Sequence, residues 1–498
     1  GVNSSIVFKA NTILTTNGAN AVQADSGATI IFDKGLVSEN SAYIFAHGNN
    51  SSIKINNEGS GLVKIIGNLY AQAGGTLDFK MDNSESYLEG FTDGVNMDMQ
   101  NGATWRVTGN SSSKNLNLEN ATVDLTADGA SSTVLAVADY SGTGGSFIMD
   151  TDLASEADGD KINITTANAG TTYVQVKDAS LVNGIEVTGN KNLLLITDAS
   201  ENINFVGKNL NAGGLWDVTP TIENGLTVTD ADGNVIGTAD QWYLTKIAKA
   251  VNNDSQVLLD AVDNSYALWR NTNDSLRKRL GELRFRTNAT DGDGIWVRYT
   301  SGKFSGSGFD SSYNMYQLGY DKADNAKSTY GFAVDSGTGH ANYASGGGKD
   351  KLTALSVYGT WTGEKGNYTD VVARVGQFDT DVDSYGDYPD KASYKNRAYS
   401  LSVEYGKRIE LSKERGTFIE PQAQLIIGRL GSNSYITDRG TAVAVEGMNS
   451  AIARLGVVAG KKINDGSDIY FKVSALHEFA GERDISMRAA NGEVLAGS

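Results

Sequence analysis

The sequence predicts an all-β chain in two styles. A right-handed parallel β-helix forms the first half, a transmembrane antiparallel β-barrel forms the end, and a short α-helical linker joins them. Three observations predict this. The last two hundred residues alternate apolar and polar side chains over segments of about ten residues or more, the period of a strand with two unlike faces. The first 240 carry short apolar runs separated by Gly, Asn, Ser and Asp, with no helical period. Between them lies one stretch with apolar residues at helical spacing.

The barrel follows from the alternation. In AYSLSVEYGK, Tyr399, Leu401, Val403 and Tyr405 point one way and Ser400, Ser402 and Glu404 the other. In FIEPQAQLII, Ile419, Pro421, Ala423, Leu425 and Ile427 oppose Glu420, Gln422 and Gln424. Tyr316, Leu318 and Tyr320, and likewise Tyr330, Phe332 and Val334, are expected to face lipid. Ser400, Ser402, Glu404, Glu420, Gln422 and Gln424 are expected to face a wet lumen. Only a closed barrel lets such strands cross a bilayer with every backbone group paired. Strands are predicted at 294–303, 313–322, 328–337, 351–362, 367–378, 394–408, 416–430, 450–462, 468–479 and 482–489. The connectors 338–350, 379–393 and 431–446 read as long outer loops.

The helical stretch is 241–286. Leu244, Ile247, Ala248 and Val251 follow the i, i+3, i+4, i+7 pattern, then Leu258, Val262, Tyr266 and Trp269, then Leu276, Leu280 and Leu283. Asp254 or Ser255, and Asp274 or Ser275, are the expected caps or breaks. Its last turns are basic, with Arg270, Arg277, Lys278, Arg279 and Arg284. From 255 to 284 it would extend ~45 Å, enough to cross a membrane. It is too polar to face lipid, so it would cross inside the lumen.

In the first half, runs such as SSIVF, ATIIF, AYIFA, SSIKI and TLDFK start about ten to twenty residues apart, a spacing that fits a sandwich or a stacked parallel coil, and units so many, short and polar at their edges favour the coil. Each rung covers the next, and Asn in the turns tolerates left-handed backbone angles. Residues 131–238 keep the β pattern in a different texture, with strands expected at 146–150, 161–166 and 172–177, and read as the terminal unit that closes the coil.

The totals agree. None of the 498 residues is cysteine, which removes disulfides and thiolate chemistry. Three prolines against 58 glycines suit turn-rich β-structure. Residues 1–238 hold 11 Lys and Arg against 27 Asp and Glu, a net of −16 out of −17. Such an acidic half argues against nucleic acid as a partner. Five tyrosines precede residue 238 and fifteen follow residue 290, an enrichment that interfacial aromatic girdles explain.

Catalytic and metal chemistry find little support. His47, His340 and His477 show no metal-ligand spacing, and no metal or cofactor is expected. Asp335-Ser336-Gly337 superficially matches a nucleophile loop but falls in a predicted strand. Asp230, Asp232 and Asn234 lack the further oxygen ligands a calcium loop needs and read as a turn. The alternative of a soluble, carbohydrate-active β-helix enzyme, of lyase or tailspike type, requires a carboxylate cluster along a coil groove. It leaves the barrel pattern unexplained.

At this point the residues resemble a family. QWYLTKI, LRKRLGELR running into GIWVRY, FIEPQAQL, and LHEF followed by RAANGE resemble the classical autotransporters of Gram-negative outer membranes. ATWRVTGNSSSKNLNLENATVDL and GGSFIMDTDLAS resemble the distal part of pertactin-like passengers. The resemblance implies a distal β-helix passenger at 1–130 and an autochaperone or junction β-domain at 131–240. It further implies a pore-crossing helical linker at 241–288 and a twelve-stranded barrel at 289–498, here short of its closing strands. The expected function is translocation and surface display of an adhesin-like passenger, with no enzyme activity. The expected partners are outer-membrane lipid, the barrel-assembly machinery and periplasmic chaperones, and the chain is expected to be a monomer. Some members release the passenger by cyclisation of the first of two asparagines before LxKRxGxLR. Those positions are Asp274 and Ser275 here, with Asn273 one residue early. A carboxylate is a poor nucleophile for that step, so self-cleavage is not expected.

Overall fold

In the computed structural model, residues 4–129, 132–284, 293–412, 414–464 and 467–497 are described. The chain divides into two compact units, residues 1–212 with 216–250, and residues 213–215 with 251–498.

The first unit is a parallel coil. One sheet runs from Ser5–Phe8 through Leu193–Asp198, a second from Thr12–Ile13 through Ile203–Gly207. A third face has four strands, Asn20–Asp25, Tyr43–His47, Leu69–Gln72 and Thr92–Asp93. Parallel pairing stacks like on like. Phe8, Phe32, Ile55, Phe79, Met97 and Leu116 form one column. Ile65, Leu88, Trp105, Val123, Phe147 and Val174 form another. From Phe32 onward, these columns are almost fully buried, so the core is continuous from rung to rung. Asn56 sits at a positive φ of 57° in a turn, where its Oδ1 accepts the Gly61 N–H at 2.9 Å and its Nδ2 donates to Asp82 at 3.2 Å. Antiparallel strands Trp216–Asn224 and Gln241–Val251 extend the first sheet beyond its last parallel strand.

That last strand corrects the sequence reading. Residues 241–251 are not helical; Leu244 and Trp242 pair with Leu193 and Ile196 and so continue the sheet. Four apolar residues at helical spacing were too weak a signal against an open strand edge.

The second unit is a nine-strand antiparallel sheet in sequential order: β1 (Gly294–Gly306), β2 (Phe309–Asn325), β3 (Ser328–Tyr343), β4 (Gly346–Thr362), β5 (Asn367–Ser384), β6 (Lys391–Lys407), β7 (Thr417–Leu430), β8 (Met448–Asn464) and β9 (Ser467–Glu478). A short strand, Ile409–Ser412, adds to β7. The faces follow the alternation. Tyr399, Leu401, Val403 and Tyr405 are exposed, as are Val297, Leu318, Phe332, Val357, Leu425 and Leu455. Together they make an apolar outer band.

Four more expectations change. Residues 379–393 are a connector only at 385–390, because β5 and β6 stay paired out to Asp383 and Lys391. Residues 338–350 are not a loop: β3 and β4 continue through them in register, His340 opposite Lys349, with only residues 344–345 between. Their outward side chains turn polar while the ladder persists, which is what a strand does where it rises out of lipid into water. The stretch 431–446 holds two short strands, Asn433–Ile436 and Ala442–Val445. With Ile485–Arg488 and Val494–Gly497 they form a separate four-stranded sheet. The tenth strand expected at 482–489 therefore belongs to that small sheet and not to the wall. The expected boundary at 288/289 lies outside the described residues.

Candidate functional site: a helix among inward-facing charges

The helix begins at Asn253, later than expected. Asn252 is its cap, with Oδ1 accepting the Ser255 N–H at 2.9 Å. It runs to Asn273, breaks at 274–276, and resumes as Arg277–Leu283. At its outer end the Asp254 carboxylate accepts the backbone N–H groups of Gly386 and Tyr388, at 2.8 and 2.9 Å, from the loop after β5.

Within this unit the helix touches the inner side of the sheet from first strand to last. Leu268 and Trp269 cluster with Met315, Leu352, Phe378, Ala398, Leu430 and Met448, one residue each from β2, β4, β5, β6, β7 and β8. Leu276, Leu280 and Leu283 pack with Trp296, Ala333 and Tyr358 from β1, β3 and β4. Tyr266 donates to Glu478 of β9, and Arg270 lies 3.9 Å from the same carboxylate. The helix is thus surrounded by the wall.

Polar groups fill the remaining space. Asn264 donates to Asp350 at 3.0 Å and accepts from Ser311 at 2.5 Å. Ser265 bonds Tyr394 at 3.0 Å. Of the five basic residues read from sequence, Arg284 is the most engaged. It lies 2.7 Å from Asp370, 3.5 Å from Glu420 and 3.8 Å from Glu404, with its guanidinium 3.4 Å from the Tyr368 ring centroid. Arg279 pairs with buried Asp321 and with Glu282 at 3.1 Å. Arg277 pairs locally with Asp274 at 2.9 Å, and Lys278 is exposed.

The six residues expected to face inward lie on the helix side of β6 and β7. Ser400 donates to Asn273 Oδ1 at 2.5 Å. Gln424 donates to Asp274 at 2.9 Å and to Ser402 at 2.8 Å, and Gln422 donates to Glu420 at 2.8 Å. Glu404 pairs with Arg454 of β8, both almost fully buried. Ser275 Oγ accepts from Gln317 at 2.9 Å and from Arg374 at 3.1 Å.

Sequence reasoning missed Asp321, Asp335, Asp350, Asp370, Arg374 and Arg454. All are buried and all occupy inward positions of their strands. A charge at the inward phase of an otherwise apolar-out strand was the available signal. Asp335 illustrates the geometry: it faces in, 2.8 Å from Arg374, while Ser336 is exposed on the opposite face. The two cannot act as a catalytic pair. His47 lies 3.6 Å from Asp25 in the coil, and His477 stacks edge-on with Phe479 in the barrel wall. Among the described residues no group of three His, Cys, Asp or Glu could hold a metal ion. Asp230 accepts the N–H groups of Asp232 and Asn234, both at 2.9 Å, which makes that segment a turn.

Comparison with known proteins agrees with this geometry. Residues 290–497 match the autotransporter beta-domain family and residues 113–245 the pertactin family. Pertactin autotransporter from Bordetella parapertussis is 32% identical over 234 residues, 43% of this chain and 24% of that protein. BrkA autotransporter from Bordetella pertussis is 26% identical over 407 residues, 77% of this chain and 38% of its own length. The serine protease pet autotransporter from Escherichia coli O44:H18 is 26% identical over 411 residues, 79% of this chain and 29% of that protein. The chain spans between 24% and 38% of the length of these relatives. An apolar-out, polar-in strand wall around a helix, continuous in sequence with a pertactin-like coil, places the chain among the classical autotransporters, with its barrel in the outer membrane and its passenger at the cell surface.

Proposed function

We propose that the chain carries its own β-helical passenger across the outer membrane and displays it there, the passenger acting as an adhesin. The observation that carries this reading is the helix of residues 253–283, in contact with every strand of the wall on its polar side. A segment in that position is the trailing end of a chain that passed through the lumen. Passage asks for no nucleotide site: folding of the coil outside, rung upon rung, makes return unfavourable. Lipid is the partner of the outer band, and the barrel-assembly machinery and periplasmic chaperones are the partners of biogenesis. Tethered display is not catalysis, and no residue is assigned a catalytic role.

The helix then serves as the plug. Deleting residues 253–284 should raise single-channel conductance in planar bilayers several-fold, and Arg284→Glu, which sets like charges beside Asp370, Glu404 and Glu420, should raise it part of the way. Unchanged conductance in both would end the plug assignment. The domain order proposed is coil, closing β-domain, helix and barrel, with the passenger left attached. Asp274 is pinned by Arg277 and Gln424, and Asn273 precedes the aligned position. Mass analysis of the surface protein should find one uncut chain; a fragment ending at Asn273 would overturn the attachment.

A further inference from the structure

The outward side of the first sheet of the coil is hollowed into a concavity of about 440 Å³. Two columns of side chains floor it, one residue per rung. Asp78, Asn96, Asn115 and Asp139 stand in register in the first. Lys80, Asp98, Asn117 and Ser141 stand in register in the second. The columns are braced. Asn96 donates to Asp78 and Asn115 to Asn96, each at 2.7 Å, and Asn117 donates to Asp98 at 2.8 Å. A side-chain amide has two N–H donors and two acceptor lone pairs, so each bridging asparagine keeps bonding capacity beyond its brace.

We propose that this groove binds a neutral, hydroxyl-rich oligosaccharide laid along the coil axis. The charge supports a neutral ligand. Lys54 and Lys80 lie 3.7 Å from Asp78 and Asp98, so the groove is nearly balanced within a unit that is otherwise strongly acidic. A polyanion meets no basic surplus here, and a polycation finds Asp78 and Asp98 already paired with lysines and Asp139 bonded to Thr166. The repeat supports a polymer. Rungs recur every ~4.8 Å, close to the length one pyranose adds to an extended chain, so successive sugars meet successive amide and carboxylate pairs. Preformed, braced side chains bind with little ordering cost. The same bracing argues against hydrolysis, because Asp78 and Asp98 are each tied to a lysine and an amide rather than set apart as acid and base.

This deepens the adhesin reading and rests on it for its setting, so binding and display are measured separately. The purified full chain in detergent is titrated calorimetrically with N-acetylglucosamine tetramer, xylotetraose and maltotetraose, with a sulfated dextran as the anionic comparison. Saturable binding of at least one neutral tetrasaccharide, weakened at least tenfold by Asn117→Ala, is expected. Should N117A loosen the coil by circular dichroism, Ser141→Ala, which removes one outward hydroxyl, carries the test with a several-fold loss. No saturable binding of any neutral probe, binding indifferent to both variants, tighter binding of the sulfated polymer, or self-association through this face without glycan binding would each overturn the proposal. Display is read on whole cells by protease accessibility of the passenger, so that a failure there leaves the binding result standing and the reverse.

Discussion

In the coil, Trp105 and Phe147 face inward and Asp78 faces out; in the barrel, Leu401 faces out and Glu404 inward. Both regions use the same two-residue period, and solvent decides which phase is apolar. The coil hides its apolar columns from water. The barrel turns them toward acyl chains and keeps water, or a polar helix, within. The same chemical substitution should therefore have opposite consequences in the two regions.

The largest effects test each interior on its own terms. Trp105→Ala removes the biggest fully buried side chain of the coil together with its Nε1–H bond to Gly90, 2.9 Å long. It should cost about 3–5 kcal/mol, read as a fall in the coil's melting transition. Arg454→Ala in the barrel removes the nearer cation of buried Glu404, leaving Arg284 at 3.8 Å, and should cost about 3 kcal/mol. Glu404→Leu combined with Arg454→Met should recover most of that, measured by heat-modifiable migration in gels. If the double variant is as unstable as the single, the inner network is not an electrostatic pair set in a polar lumen.

Next is the outer band. Leu401→Lys places a charge on the lipid face and should cost roughly 2–4 kcal/mol near the bilayer midplane. Asn163→Lys, on the exposed side of the coil, should stay within about 0.5 kcal/mol. Equal tolerance at both sites would break the comparison between the regions.

Much of this was legible because alternation is local. Ser400, Ser402 and Glu404 declare their side within five residues, and the amphipathic run from Leu258 to Trp269 declares its helix. Less legible were features whose causes lie far along the chain. Arg374 meets Asp335 and Ser275, and Arg284 meets Asp370, Glu404 and Glu420, at separations that no local pattern encodes. The small sheet joining residues 433–445 to 485–497 is built from four-residue strands, too short to carry a period. Strand 241–251 was misread because its partner edge at Leu193–Asp198 is invisible to a window of eleven residues.

Acidity should separate the regions by a further, smaller step. In the coil, burial raises the Asp150 carboxyl to about 7, with the nearby Asp160 carboxylate adding to it, and burial raises Asp160 to about 6. Unfolded, both titrate near ~3.9. Between about pH 4 and pH 7 the folded coil holds protons the unfolded chain has released, so its stability is greatest at the acid end and falls as pH rises. Glu156, held down chiefly by its hydrogen bond to Lys191, contributes the opposite sign below that window. The decisive quantity is therefore the difference between wild type and Asp150→Asn. The variant should show a flatter fall of melting temperature between pH 4.5 and 7; identical slopes would mean that Asp150 is ionised in the folded coil.

The smallest effect falls at the start of the helix. Asn252 caps it through the Ser255 N–H and also donates from Nδ2 to the Gly214 carbonyl at 2.7 Å. Asn252→Ala leaves one helix donor without its side-chain partner and should cost about 1 kcal/mol. Because Asp254 still binds the loop after β5, the helix should remain in the lumen and fray only in its first turn. Hydrogen exchange should thus accelerate at Asp254–Gln256 while Leu268 and Trp269, enclosed by six strands, keep their protection. Loss of protection along the whole helix would show that its seat depends on this cap rather than on the surrounding wall.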